Sequence, residues 1–511
     1  MYGGLIGVAG YVIGVDVGTS GSRAVLADTE GRQISIAASK HSTTYPLPSW
    51  AEQRPEDIYD GVAEAVRQAV ASSGVQPRDI EAVCLSTVFH SLILLDSADR
   101  RLTECIPWLD TRSTEDANDI FHNAKDLYLR IGCPANSSYP LSKAAWFRRC
   151  RPDLYACVGR AISIKDYLIR ELTGEYLVDS CVAGGSGFLN VSACDWDEEA
   201  LAYVGAKREW FSPVVPATTV LRMTLSACRK MGLSDGTKVV IGAGDGLLAS
   251  VGSGAARSGS VAVMMGTSAA CRMFTKTPRL DDPSLQRTWS YPLVDGIWAT
   301  GTSVNNCGAA HEWILNTLFS WETTGGSTES AEDLYATLQR YLDSSVAGAN
   351  GLSFLPWVLS ERGPYWPTRA RGVLLGMTRD HTRADIYRSV VEGIVCLASN
   401  LVDFVVTVAG PAADVRATGG FTNSEGWMQI LASMLETPVL LPESRESVAY
   451  GACLLALVSL GVIPGIEETA GYTRTVRTYE PVQEHVEAYR RLKALIGEQV
   501  VAMRNQEANT Y

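Results

Sequence analysis

The 511-residue chain lacks several features that would assign it to a class at once. It has no basic run, and its 44 Lys and Arg are outnumbered by 56 Asp and Glu, for a formal charge of −12. Nucleic acid is therefore not an expected partner. No uninterrupted apolar stretch approaches the roughly 18 residues of a membrane span, and the first ten residues, MYGGLIGVAG, lack the basic start of a signal peptide. A soluble, cytoplasmic protein with no membrane partner is expected. Twelve cysteines occur without one CxxC pair and often sit inside apolar runs, which fits core filling in a reducing compartment. A low-complexity linker is missing too, so any domain boundary must be tight.

What is present is a composition able to fill large cores, with 46% apolar and 20% charged residues. The length exceeds what one core usually organises, which predicts two large domains. In YVIGVDVGTSGSRAVLAD, residues 11 to 28, apolar residues flank a small-residue turn, which predicts a β-hairpin with Gly18 to Ser22 at its tip. Glycines at such a tip let the backbone approach an anion closely, while Thr19, Ser20 and Ser22 add hydroxyls and Arg23 a charge. Asp16 then faces a metal ion riding on a bound phosphate; the alternative is a surface turn with a solvated aspartate. A weaker echo, SVAVMMGTSAACRMF, follows at 260 to 274.

Between and beyond the hairpins, strands and helices alternate. A strand is expected at 33 to 38, a helix at 55 to 72 with Ile58, Val62, Val66 and Val70 as its buried stripe, strands at 80 to 86 and 92 to 96, and a helix at 165 to 172 stopped by Gly174. The second half predicts a long helix at 383 to 409, a strand at 415 to 418, and helices at 424 to 436 and 447 to 460. The stretch 316 to 345, with TTGGSTES inside it, reads as a loop and a peripheral helix. GAGDG, residues 242 to 246, follows an apolar run and places Asp245 at a strand's carboxyl end. That position suits a general base, and equally a helix N-cap. The small-residue run from Asp245 to Ser253 is expected to be the joint between domains.

The paired hairpins resemble the layout of the actin-like ATPase superfamily, and nearly the whole chain is similar to the FGGY carbohydrate kinases. GVLLGMTRDHTRADIYRSVVE, 372 to 392, matches the family's second signature, and SYPLSKAAWFRR, 138 to 149, matches the first, with Ala144 as a departure. The resemblance implies an α/β fold of two ribonuclease H-like (actin-like ATPase) domains with a hinge and an interdomain cleft. Residues 11–252 would bind sugar and 253–485 nucleotide, with 486–511 as a C-terminal helical tail. It implies ATP and Mg²⁺ as cofactors and Asp245 as catalytic base, with Asp16 (through water) and Asp245 at the metal. For ATP it implies Thr19, Ser20, Gly21, Arg23, Gly266, Thr267, Gly308, Gly419, Gly420 and Asn423. For the sugar it implies Phe89, His90, Trp108, Asp110, Arg112 and Asp245. A homodimer is left open.

The runs SWAEQRPEDIYDG, SIKDYLIRELTGEYLVDSCVAGGSGFLN and ERGPYWPTRARG, together with Gly246 after Asp245 and Leu109 before Asp110, resemble the gluconokinase branch more than the xylulokinase branch. Phe89 stands where both branches often carry methionine. D-gluconate is the expected substrate, with Lys143, Lys165 and Arg112 as candidate partners of its carboxylate. D-xylulose is the alternative. From other classes, a non-catalytic sugar-binding regulator on the same fold and an actin-like ATPase or chaperone remain open.

Overall fold

The computed structural model describes residues 10–294, 296–319, 331–359, 361, 371–443 and 446–508. The first ten residues apart from Gly10, the TTGGSTES stretch and most of ERGPYWPTRARG lie outside them. The chain divides into two compact units that interleave in sequence. One holds Met1–Ser258, Phe274–Ala299 and Glu446–Thr473; the other holds Gly259–Met273, Thr300–Arg445 and Arg474–Tyr511.

In the first unit the expected hairpin forms: Tyr11–Val17 pairs antiparallel with Gly21–Asp28, which pairs in turn with Gln33–Lys40. On its other side Tyr11–Val17 runs parallel to Ile80–Thr87, which runs parallel to Lys238–Gly244. Because strand side chains alternate between faces, Ile13, Val15, Val83 and Leu85 pack with Ile58, Val62, Val66 and Val70 of helix Pro55–Ser73. Val12, Ala82, Cys84 and Val240 instead join the core that holds helix Ser447–Ser459. That helix comes within backbone contact of the sheet: a Cβ on Gly14 would lie 1.9 Å from the Ala449 carbonyl oxygen.

Residues 245 to 252, within the segment expected as the joint between domains, form the buried helix Asp245–Gly252 of the first unit, whose opening segment continues to Ser258. It crosses Ser447–Ser459 so tightly that a Cβ on Gly252 would lie 1.9 Å from the Ser447 oxygen, and one on Gly451 would lie 1.9 Å from the Leu248 oxygen. Small residues here serve close packing of two helices, which gives this segment its hinge-like composition.

In the second unit Ser260–Met265 pairs antiparallel with Ala269–Thr275 and parallel with Asp414–Thr418, and Val439–Pro442 and Thr475–Tyr479 extend the sheet. Helix Arg383–Ala409 is long and apolar enough to cross a membrane, but most of its apolar window is buried as a core helix. Thr382 and Asp385 close its N-terminus as a capping box, and Glu392 pairs with Arg388 at 2.7 Å, so much of the second signature is structural. The expected tail is helix Gln483–Ala508, and Tyr489, Leu492 and Ile496 bury into the unit's core. All twelve cysteines are free thiols.

The helix crossing yields a stability test. Gly451→Val drives a branched side chain into backbone and is expected to cost about 1 to 3 kcal/mol. Gly471→Ala, with open space around its Cβ position, should stay within about 0.5 kcal/mol of the parent. Urea unfolding of both variants checks this, and equal midpoints would refute it.

Candidate active site

The tip of the first hairpin is held by side chains that sequence reasoning missed. Gln53 Nε2 donates to the Thr19 carbonyl at 2.7 Å, and His41 Nε2 meets the Gly18 carbonyl at 3.1 Å. Gly18 N donates to the Gly21 oxygen at 3.0 Å, closing the turn. A side chain on Gly21 is excluded, since its Cβ would lie 2.5 Å from the Ser39 oxygen. Trp108 Nε1 donates to Thr19 Oγ1 at 3.0 Å, which ties an expected sugar-site residue to the tip of the first hairpin. Ser20 is exposed, and Arg23 reaches toward Asp16 at 3.8 Å and Glu446 at 3.7 Å.

Val17 and Gly244 both stand in register with Thr87, one on each side of the central strand. Asp16 and Asp245 therefore reach the same edge of the sheet. Asp16 is buried, and desolvation, with the Asp245 carboxylate next, pushes it up to about 7 against the lowering by Arg23. Asp245 is the first residue of its helix rather than its N-cap, a place that Gly244 takes. Its Oδ1 accepts from Gly246 N at 2.6 Å. An acid at that point can accept a proton, and two carboxylates that feel each other's charge suit a divalent cation.

The expected sugar residues split into two groups. His90 holds φ 68, a left-handed conformation uncommon outside glycine. It donates from Nδ1 to the Gly185 carbonyl at 2.6 Å, and its ring centre lies 4.5 Å from that of Tyr139. Phe89 is a buried wedge, since a Cβ on Gly244 would lie 2.0 Å from its ring and one on Gly185 2.5 Å. Tyr291, which the sequence did not single out, packs on Phe89 and shares a 2.7 Å hydroxyl bond with Tyr139. Asp110 is fully buried and accepts from Ala51 N at 2.7 Å and from Arg112.

None of the three cations offered for a substrate carboxylate keeps its charge for that purpose. Arg112 pairs with Asp110 at 2.8 Å and Glu52 at 2.9 Å and lies 3.8 Å over the Trp50 ring. Lys143 is buried and donates to the carbonyls of His90, Ile106 and Pro107 at 2.7, 3.2 and 2.8 Å; desolvation pulls it down to about 7. Lys165 is likewise buried, bonded to strand carbonyls and 3.4 Å from Asp179. Arg112 stands two residues after Asp110, so its pairing could be anticipated from sequence; the commitments of the two lysines could not.

In the second unit a cavity of about 1000 Å³ brings together Gly266, Thr267, Gly308, Gly420 and Asn423, with His311, Phe421 and Trp427 among its further walls. Gly308 N donates to the Gly266 oxygen at 2.9 Å, where a Cβ on Gly308 would lie 2.4 Å from that oxygen. Gly419, at φ 105, passes so near Met265 that its Cβ would lie 2.2 Å from that carbonyl. Burial pushes His311 down to about 4, so it is neutral, and its Nε2 lies 3.2 Å from the Tyr387 hydroxyl. Backbone amides at the Gly-Thr turn and an apolar, aromatic interior fit the phosphates and base of a nucleotide.

The N-terminal domain model of the FGGY family of carbohydrate kinases matches residues 11–252, and its C-terminal domain model matches 261–460. The chain is 33% identical over 490 residues to a gluconokinase of Bacillus subtilis (strain 168), covering 94% of each. A gluconate kinase from Lactobacillus acidophilus superposes with a TM-score of 0.90 at 28% identity, over 97% of this chain and 98% of that one. A ligand-bound xylulose kinase from the same organism superposes at 0.91 and 28%, over 98% and 100%.

The buried acid predicts a pH signature of the ligand-free protein. With a folded value of about 7, above the ordinary carboxylate value, Asp16's contribution to stability is full below about pH 4 and is lost as pH rises through 7. Asp16→Asn abolishes that ionisation. In EDTA at pH 8 the variant should be the more stable, by up to about 4 kcal/mol, and the gap should shrink below pH 5. Urea melts at both pH values decide it; a variant no more stable than the parent at pH 8 refutes the assignment.

Proposed function

The chain belongs to the FGGY family of carbohydrate kinases, which use ATP, and on that premise we propose that it transfers the γ-phosphate of ATP to the 6-hydroxyl of D-gluconate. The observation that carries the reading is the pair Asp16 and Asp245 at one edge of the first unit's sheet. Asp245 accepts the proton of the attacking hydroxyl; the hydroxyl oxygen bonds to the γ-phosphorus as the bond to the β-phosphate oxygen breaks, and ADP leaves. The amides and hydroxyls around Thr19, Ser20 and Gly21 orient the transferred group, and Gly266, Thr267 and Gly308 hold the nucleotide's phosphates. Gly419, Gly420 and Asn423 take the adenosine. Asp245, and Asp16 through water, would hold a magnesium ion, which would supply charge neutralisation at the phosphates. Retention of Asp16, Thr19, Asp245 and Thr267 argues against a non-catalytic regulator.

Gluconate is supported by the 33% identity to a gluconokinase across 94% of both chains. With Lys143, Lys165 and Arg112 engaged internally, its carboxylate is held by neutral donors such as backbone amides and hydroxyls. The same engagement favours D-xylulose, which has no carboxylate, as the second reading.

Two measurements test the proposal. Asp245→Asn is expected to lower kcat by about 10²- to 10⁴-fold with the fold intact by circular dichroism; retention of more than about a tenth of the activity removes Asp245 from the role. ADP formation should give a higher kcat/KM for D-gluconate than for D-xylulose, because the shorter sugar cannot reach Asp245 without leaving polar groups unpaired. Preference for xylulose would overturn the substrate and leave the kinase.

A further inference from the structure

Just before Asp245 the sheet is broken, and a lysine fills the break. Lys238–Gly244 follows Ile80–Thr87 in parallel register up to Val240 opposite Cys84, then resumes at Ala243 opposite Ser86. Ile241 and Gly242 thus stand against the single residue Leu85, which is a β-bulge. Gly242 has φ 77, and a Cβ there would lie 1.9 Å from the Leu85 oxygen. The amides of Ile241 and Gly242 turn away, to the oxygens of Thr219 and Ala217 at 3.0 and 3.1 Å. The carbonyls of Leu85 and Ile241 accept from Lys165 Nζ instead, both at 2.7 Å, with Ala243 O third at 3.3 Å.

Asp179, fully buried, faces the ammonium at 3.4 Å. Its other oxygen caps the short helix Ser180–Gly184 by accepting from Val182 N at 2.8 Å. From that helix, Cys181 Sγ accepts from Gly244 N at 3.3 Å, the residue before Asp245. The next residue along, Gly185, offers the carbonyl that fixes His90. One buried network therefore runs from the bulge to the strand end before Asp245 and to His90.

Resting on the kinase reading above, we propose that Lys165, with Asp179, is a positioning residue for Asp245 and His90. Its ammonium holds the bulge that aims the strand end carrying Asp245, and its carboxylate partner anchors the helix that fixes His90. A mobile water could bridge the same carbonyls but would not set their separation. Replacing both members of a buried ion pair with neutral residues is often harmless to stability, whereas removing one is not. Function and stability can therefore be read apart.

The experiment uses the full-length enzyme, with the sugar it turns over most readily as substrate. Lys165→Met alone should be markedly destabilised. The double variant Lys165→Met, Asp179→Asn should be more stable than Lys165→Met alone, though the carbonyls of Leu85, Ile241 and Ala243 lose their donor, and should show kcat reduced by about 10- to 100-fold, the scale of a small misplacement of reacting groups, with KM for ATP within about twofold of the parent. Wild-type kcat in the folded double variant overturns the proposal. Should the double variant fail to fold, Cys181→Ala decides: it cuts the link to Gly244 without touching the charges. A several-fold lower kcat at unchanged melting temperature supports positioning, and unchanged kcat refutes it. Asp245→Asn is measured in parallel: if it stays active, the kinase reading itself has failed, whereas its loss beside fully active network variants overturns this proposal alone.

Discussion

Two carboxylates that must share one edge of a sheet constrain most of what surrounds them. Asp16 is out of water and faces Asp245, and the pair raises the cost of ionising Asp16 far above that of a solvated aspartate. Arg23 relieves part of that cost from a half-exposed position. A protein gains nothing in stability from such an arrangement at neutral pH. In the mechanism proposed above, its use is to hold negative potential that draws in a divalent cation and, through that cation, phosphates, with one acid left to take a proton.

Keeping those acids in place requires a backbone that approaches itself unusually closely. Gly14 lets helix Ser447–Ser459 touch the strand that carries Asp16, and Gly252 with Gly451 lets the Asp245 helix touch the same helix. Two buried lysines complete the arrangement from the other direction. Lys143 gathers the carbonyls of His90, Ile106 and Pro107, and Lys165 gathers those of Leu85, Ile241 and Ala243. Each ammonium has three N–H groups and each meets three carbonyls, so irregular backbone beside the site is satisfied without a regular ladder.

Much of this was legible in the sequence because it is local. The two hairpins, the stripe of helix Pro55–Ser73 and the full span of Arg383–Ala409 follow from alternation, 3.6-residue spacing and caps. The cavity that gathers Gly266, Thr267, Gly308, Gly420 and Asn423 was legible only through family likeness, since those residues are spread over about two thirds of the second unit. What composition concealed was long-range packing. Asp245 to Ser253 has the small residues of a hinge and is a buried helix, because small residues serve close crossing as well as bending. Phe89 and Tyr291 meet only in the folded chain.

The lysines carry the sharpest lesson about substrate. From sequence, a cation near a sugar site suggests an anionic substrate. In the structure, Lys143, Lys165 and Arg112 are each committed to carbonyls or carboxylates of the protein. Charge in the sequence therefore does not discriminate a sugar acid from a neutral ketose here, and kinases of both substrates superpose on the chain almost equally well. On the function proposed above, discrimination rests on length and on neutral donors: a six-carbon acid and a five-carbon ketose place their far ends at different distances from Asp245. In that proposal the aromatic cluster of His90, Tyr139 and Tyr291, built from residues too far apart for any motif to join, is the place where the difference would be read.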